Sequence, residues 1–92
     1  MVIDAKKTLK SLKKKGFSTY EGDHKFLEYF YKGKLVLHTK ISHSAKDLDD
    51  FLIAQMSKQC KLSKPDFINL VNCPLTSEEY LAKLIEGGYT NF

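Results

Sequence analysis

The chain contains no arginine, only two cysteines and two prolines, and nowhere a run of about 18 apolar residues. Each shortage excludes something. Without a long apolar run there is no membrane span to expect. All fifteen basic residues are lysine, and lysine meets a phosphate as a point charge, whereas arginine supplies the flat fork that reads guanine edges. Any contact with a nucleic acid is therefore expected along the backbone, with weak base preference. A merely solubilising face explains the same lysines. Cys60 and Cys73 form neither a zinc signature nor a CxxC pair. They are expected as reduced, buried small hydrophobes in a cytoplasmic protein, with a disulfide between them as the alternative. No carboxylate cluster or HxH spacing suggests a metal, no glycine-rich loop suggests a phosphate cradle, and no cofactor is expected.

What is present fits a single domain of 92 residues, long enough to bury roughly 60–70% of its unfolded surface. An active site on such a chain belongs on the surface or in a shallow cleft. Charge is uneven: residues 1–46 carry 11 lysines against 4 acids, and residues 47–92 carry 4 lysines against 7 acids. The opening "MVIDAKKTLKSLKKKGF" spaces its lysines between apolar residues, which predicts a packed first helix rather than a secretion signal or a membrane-surface helix.

Ala5, Leu9, Leu12 and Gly16 recur at helical spacing, predicting a helix from about Asp4 to Lys15 with Gly16 as its stop. "FSTY" reads as a short strand. "HKFLEYFY" and "KLVLHTKI" read as a hairpin about a Lys32-Gly33 turn. An unbroken two-residue register puts His24, Phe26, Glu28, Phe30, Leu35, Leu37, Thr39 and Ile41 on the apolar face. It puts Lys25, Leu27, Tyr29, Tyr31, Lys34, Val36, His38 and Lys40 on the other. Glu28 is out of place in the first set; either it lies beyond the helices or a bulge shifts the register. Ser44 with Asp47 resembles a capping box for a second helix with Leu48, Phe51, Leu52 and Met56 inside. Ser63 caps a third with Phe67, Leu70 and Val71 inside. Thr76 and Glu79 box a fourth with Leu81, Leu84 and Ile85 inside, ended by Gly87-Gly88. The expected class is α+β, with helices on one side of an antiparallel sheet.

The lysine-rich first helix ending "KKKGF", the short strand, the glycine–any–histidine step opening the hairpin, and the histidine in "KISHS" together resemble the HicA toxin family of small mRNA interferases. The likeness covers about Lys6 to Lys58, and "LSKPDFINLV" extends it. It implies an α-β-β-β-α core related to the double-stranded RNA-binding domain over residues 1–59, with residues 60–92 as a helical extension. It also implies a cognate antitoxin as partner. The family's essential histidine falls on His24. Asp23 stands where members often carry a small residue, and "ISH" replaces their proline–any–histidine.

Metal-independent RNA cleavage needs a base for the ribose 2′-OH, an acid for the leaving 5′-oxygen, and positive charge on the phosphorane-like transition state. Imidazole titrates near neutrality and suits either proton role. His24 is the candidate catalyst. Lys6, Lys10, Lys13, Lys14 and Lys25 are the candidate phosphate contacts, with Lys25 on the opposite strand face from His24. His43 and His38 are further proton carriers in principle, most simply read as a loop residue and a solvated strand residue. Tyr29 and Tyr31 can stack bases, although cross-strand packing accounts for them. A non-catalytic RNA-binding module, favoured by Asp23, and a protein-interaction domain are the competing readings.

Overall fold

The computed structural model describes residues 2–72 and 74–91. In chain order the elements are β1 (Ile3–Asp4), α1 (Ala5–Lys14), β2 (Ser18–Glu21), β3 (Lys25–Tyr31), β4 (Lys34–Ile41), β5 (Asp47–Leu48), α2 (Asp50–Gln59), α3 (Lys64–Asn72) and α4 (Ser77–Glu86). The class is α+β: a three-stranded antiparallel sheet in the order β2-β3-β4, a two-residue ladder between β1 and β5, and four helices among the described residues.

Local chemistry places most helix ends. The Asp4 carboxylate accepts the Lys7 N–H at 2.8 Å and caps α1. After Lys15 the chain closes a Schellman motif: Gly16 N–H reaches Lys13 O, Phe17 N–H reaches Leu12 O, and Gly16 takes φ +105°. A side chain there would be strained. Ser63 caps α3, and Thr76 and Glu79 form the expected reciprocal box on α4. The cap of α2 differs from expectation. Ser44 is occupied with Ser42 in a turn, the Lys46 carbonyl accepts the Ala5 N–H at 2.9 Å, and Asp47–Leu48 pair with β1. Asp49 is the cap, accepting Leu52 N–H at 2.9 Å. The later start changes the helix phase, so Ile53, Met56, Ser57 and Cys60 are buried and Phe51 is 72% exposed. On α4, Tyr80 and Leu84 are buried, Leu81 is half-buried and Ile85 is exposed.

The hairpin turns at Lys32 (φ 52°) and Gly33 (φ 76°), the double positive φ of a type I′ turn. Tyr31 faces Lys34 and Phe30 faces Leu35. The register then shifts, so that Tyr29 faces Leu37, Glu28 faces His38, Leu27 faces Thr39 and Phe26 faces Lys40. One extra residue on β4 at Val36 is a bulge, and it reverses the face of β3 relative to an unbroken pairing. Leu27 and Tyr29 go into the core with Leu37, Thr39 and Ile41. Phe26 and Glu28 go to the outer face. The bulge thus resolves the misplaced glutamate, and it leaves Phe30 and Leu35 exposed at the hairpin tip.

α3 and α4 contribute to the same core as the preceding elements. Phe67, Leu70, Val71, Leu75, Tyr80 and Leu84 belong to the same buried cluster as Leu12, Leu27, Leu37 and Ile53. Tyr80 is fully buried, stacked on Phe17 (5.8 Å) and edge-on to Tyr29 (5.3 Å). Its hydroxyl donates to the Cys60 carbonyl at 2.9 Å, which satisfies an orphan acceptor at the end of α2. Lys15, at the C-cap of α1, is buried and donates its Nζ to the Leu75 carbonyl.

Cys60 is buried as expected, and the alternative disulfide involves Cys73, outside the described residues. Burial pushes the Cys60 thiol from its ordinary 9.0 up to about 12 and raises the Tyr80 and Tyr29 phenols as well. These groups hold their protons more tightly when folded. The unfolded chain therefore releases protons first as pH rises, and stability falls with it. The contribution from Cys60 is complete below pH about 9 and lost on the way to about 12. The urea midpoint is expected to be steady up to pH about 8.5 and to drop by pH about 10.5, less steeply in a Cys60→Ala variant. An equal slope in that variant would refute the assignment to Cys60.

Candidate nucleic-acid interface

Two shallow clefts open where β3 begins and β4 ends. The larger, about 550 Å³, lies between the start of α1, the start of β3 and the segment 41–46. Lys6, Lys25, Lys46 and His43 supply its polar wall, Asp4 its one carboxylate, and Ala5, Leu9 and Ile41 its floor. The smaller, about 150 Å³, is lined by His24, Lys40 and Ser42 and, from α2, by Leu52, Gln55, Met56 and Gln59. Ser42 borders both. His24, in the bend before β3, lines the smaller cleft, and Lys25, the first residue of β3, lines the larger. This matches the expected separation of the two.

His24 is half-buried at the entrance of β3, with its ring edge-on to Phe26 at 6.1 Å. Phe26 in turn stacks on Tyr20 at 4.9 Å and 17°, directly across the β2–β3 ladder. The imidazole thus leans on an aromatic pair on the outer sheet face instead of entering the core. Gly22 secures the turn. Its N–H donates to the His24 carbonyl at 3.0 Å, and its own carbonyl lies 3.0 Å from His43 Nε2. A Cβ at residue 22 would stand 3.3 Å from the Phe26 ring, closer than most side chains tolerate. Glycine therefore lets the turn fold against the aromatic pair.

The predicted lysines divide. Lys6 and Lys25 come together in the larger cleft. Lys10, Lys13 and Lys14 are exposed farther along α1 and line neither cleft. With Lys6 they fall at i, i+4, i+7 and i+8, a single basic stripe leading away from the cleft. Tyr29 is buried against Phe17 and Tyr80, so it is not placed to stack on a base. His38 is exposed opposite Glu28. Two cleft lysines, Lys40 and Lys46, were not among the expected phosphate contacts, and His43 joins the larger cleft. The "KISHS" segment was legible, but the fact that its histidine reaches back to Gly22 depends on a contact 21 residues away. Among the described residues no three His, Cys, Asp or Glu side chains lie close enough to hold a metal ion, and no helix is long and apolar enough to cross a membrane.

These features define a class: a small α+β domain with an imidazole and a group of lysines at one end of its sheet. Set against protein-family models, curated proteins and solved structures, the chain matches none of them.

Proposed function

We propose that this chain is an RNA-cleaving protein of the HicA type, with His24 as its catalytic imidazole and lysines as its phosphate contacts. The observation that carries the reading is the position of His24. It is half-exposed at the entrance to β3 and shares a cleft with Lys40, while the neighbouring Lys25 opens on a second basic cleft. The order α1-β2-β3-β4-α2 supports a core of the double-stranded RNA-binding-domain type, here completed by α3 and α4. In the reaction, His24 takes the proton of a ribose 2′-OH or returns one to the departing 5′-oxygen. The 2′-oxygen attacks phosphorus, the P–O5′ bond breaks, and a 2′,3′-cyclic phosphate remains. Lys40 and the lysines beside it offset the charge that develops on the phosphoryl oxygens. A cytoplasmic setting and restraint by a cognate antitoxin belong to the same proposal.

The second reading is a non-catalytic RNA-binding module. Asp23 favours it, since an exposed carboxylate directly before the imidazole opposes a phosphate. Both readings require phosphate contact, which salt measures. With three to five phosphates neutralised on single-stranded RNA, log affinity against log salt is expected to slope about −2 to −3.5. Lys6→Gln with Lys25→Gln is expected to flatten the slope by about 1.4. A salt-independent affinity would instead point to a protein-interaction domain. Cleavage products ending in 2′,3′-cyclic phosphate separate the enzyme from the module.

A further inference from the structure

We infer that the larger cleft is a second phosphate subsite, in which Lys6, Lys25, Lys46 and the imidazole of His43 hold the phosphodiester adjoining the one at His24. The inference rests on the RNA-directed reading and extends it to Lys46 and His43, which that reading does not use. Three observations carry it. First, three lysines from three separate segments converge on one concavity against a single carboxylate, that of Asp4. The Asp4 carboxylate is already engaged by the Lys7 N–H at the start of α1, so the cleft keeps a net positive charge suited to an anion. Second, His43 is aimed by a tertiary hydrogen bond. A carbonyl only accepts, so its 3.0 Å contact with Gly22 O places the proton on Nε2. Nδ1 is thereby the ring atom left for a ligand, and because a phosphodiester oxygen only accepts, it is met there by the Nδ1–H of the imidazolium form. Third, the clefts are neighbours. Ser42 borders both, and Gly22 is hydrogen-bonded to His24 through its N–H and to His43 through its carbonyl. One polyanionic strand passing Ser42 meets an imidazole and lysine on each side.

The shared chemistry is a phosphate group, and its source is either a small free phosphate or a nucleic-acid backbone. The test follows the histidine ring resonances by NMR while the full chain is titrated with inorganic phosphate and, separately, with a 2′-deoxy tetranucleotide, which cannot be cleaved through a 2′-oxygen. Inorganic phosphate is expected to shift the His43 ring along a saturating curve. Lys6→Gln with Lys46→Gln, both exposed positions, is expected to weaken that binding at least about fivefold, and His24→Ala to leave it within about twofold. The tetranucleotide is expected to shift His24 and His43 together. A His43 ring unmoved by either titrant, or equally moved in the double lysine variant, overturns the subsite. A response to inorganic phosphate without one to the tetranucleotide overturns the backbone assignment. Phosphate titrating His43 in a chain that leaves RNA intact upholds the subsite and removes only the cleavage reading. Intact RNA cleavage with an unmoved His43 does the reverse.

Discussion

His24→Ala is expected to lower RNA cleavage by about 10²–10⁴-fold, the usual worth of a positioned acid or base, while RNA affinity changes by less than about threefold. The reasoning is one of place. The ring sits on the surface, beside an aromatic pair rather than in the core, and its removal leaves the Gly22–His24 backbone hydrogen bond intact. The fold therefore has no reason to fail. The lysines that would hold the phosphates come from α1, β3, β4 and the following turn, and they remain. A loss of cleavage with binding retained is the signature of a lost proton carrier. Cleavage at wild-type rates in His24→Ala would end the catalytic assignment. Equal loss of binding and cleavage would make His24 a contact residue. If the chain acts as the proposed toxin, its expression is expected to arrest growth and the same substitution to relieve the arrest.

The largest effect on stability is expected at Tyr80. Tyr80→Ala removes a fully buried ring from contact with Phe17 and Tyr29, and cavities of that size cost about 3–5 kcal/mol. The same substitution strips the Cys60 carbonyl of its donor. Tyr80→Phe keeps the ring and loses only that hydrogen bond, so it is expected to cost about 1–3 kcal/mol. For a domain whose whole stability is of the order of 5–15 kcal/mol, the alanine variant stands near the limit of folding. Urea denaturation of the two variants side by side measures both terms. A chain ending at Gln59 is expected to show no cooperative unfolding, because α3 and α4 furnish a large part of the single core. Cooperative unfolding of that fragment would restore the view of residues 60–92 as an extension.

Tyr20, Phe30 and Leu35 are large apolar side chains left exposed. An unbroken register assigned Phe30 and Leu35 to the interior. The bulge at Val36 instead ties the interior to Leu27 and Tyr29 and carries His24 to the side of β3 that faces Lys40 and α2. His24 and Lys25 line different clefts, as their expected separation implied.

What the amino-acid order alone determined was local. The caps at Ser63 and Thr76, the stop at Gly16 and the turn at Lys32-Gly33 are set by hydrogen bonds and φ angles spanning a few residues, which any reader of the chain can pair. The folded chain decided what depends on distance. A single inserted residue inverts a strand whose side chains alternate with period two. Whether Lys15 is solvated or buried depends on a carbonyl 60 residues away, and the bearing of His43 on one 21 residues away. No local pattern records such partners, because the energies that select them come from burial and from satisfying polar groups only once the core has closed.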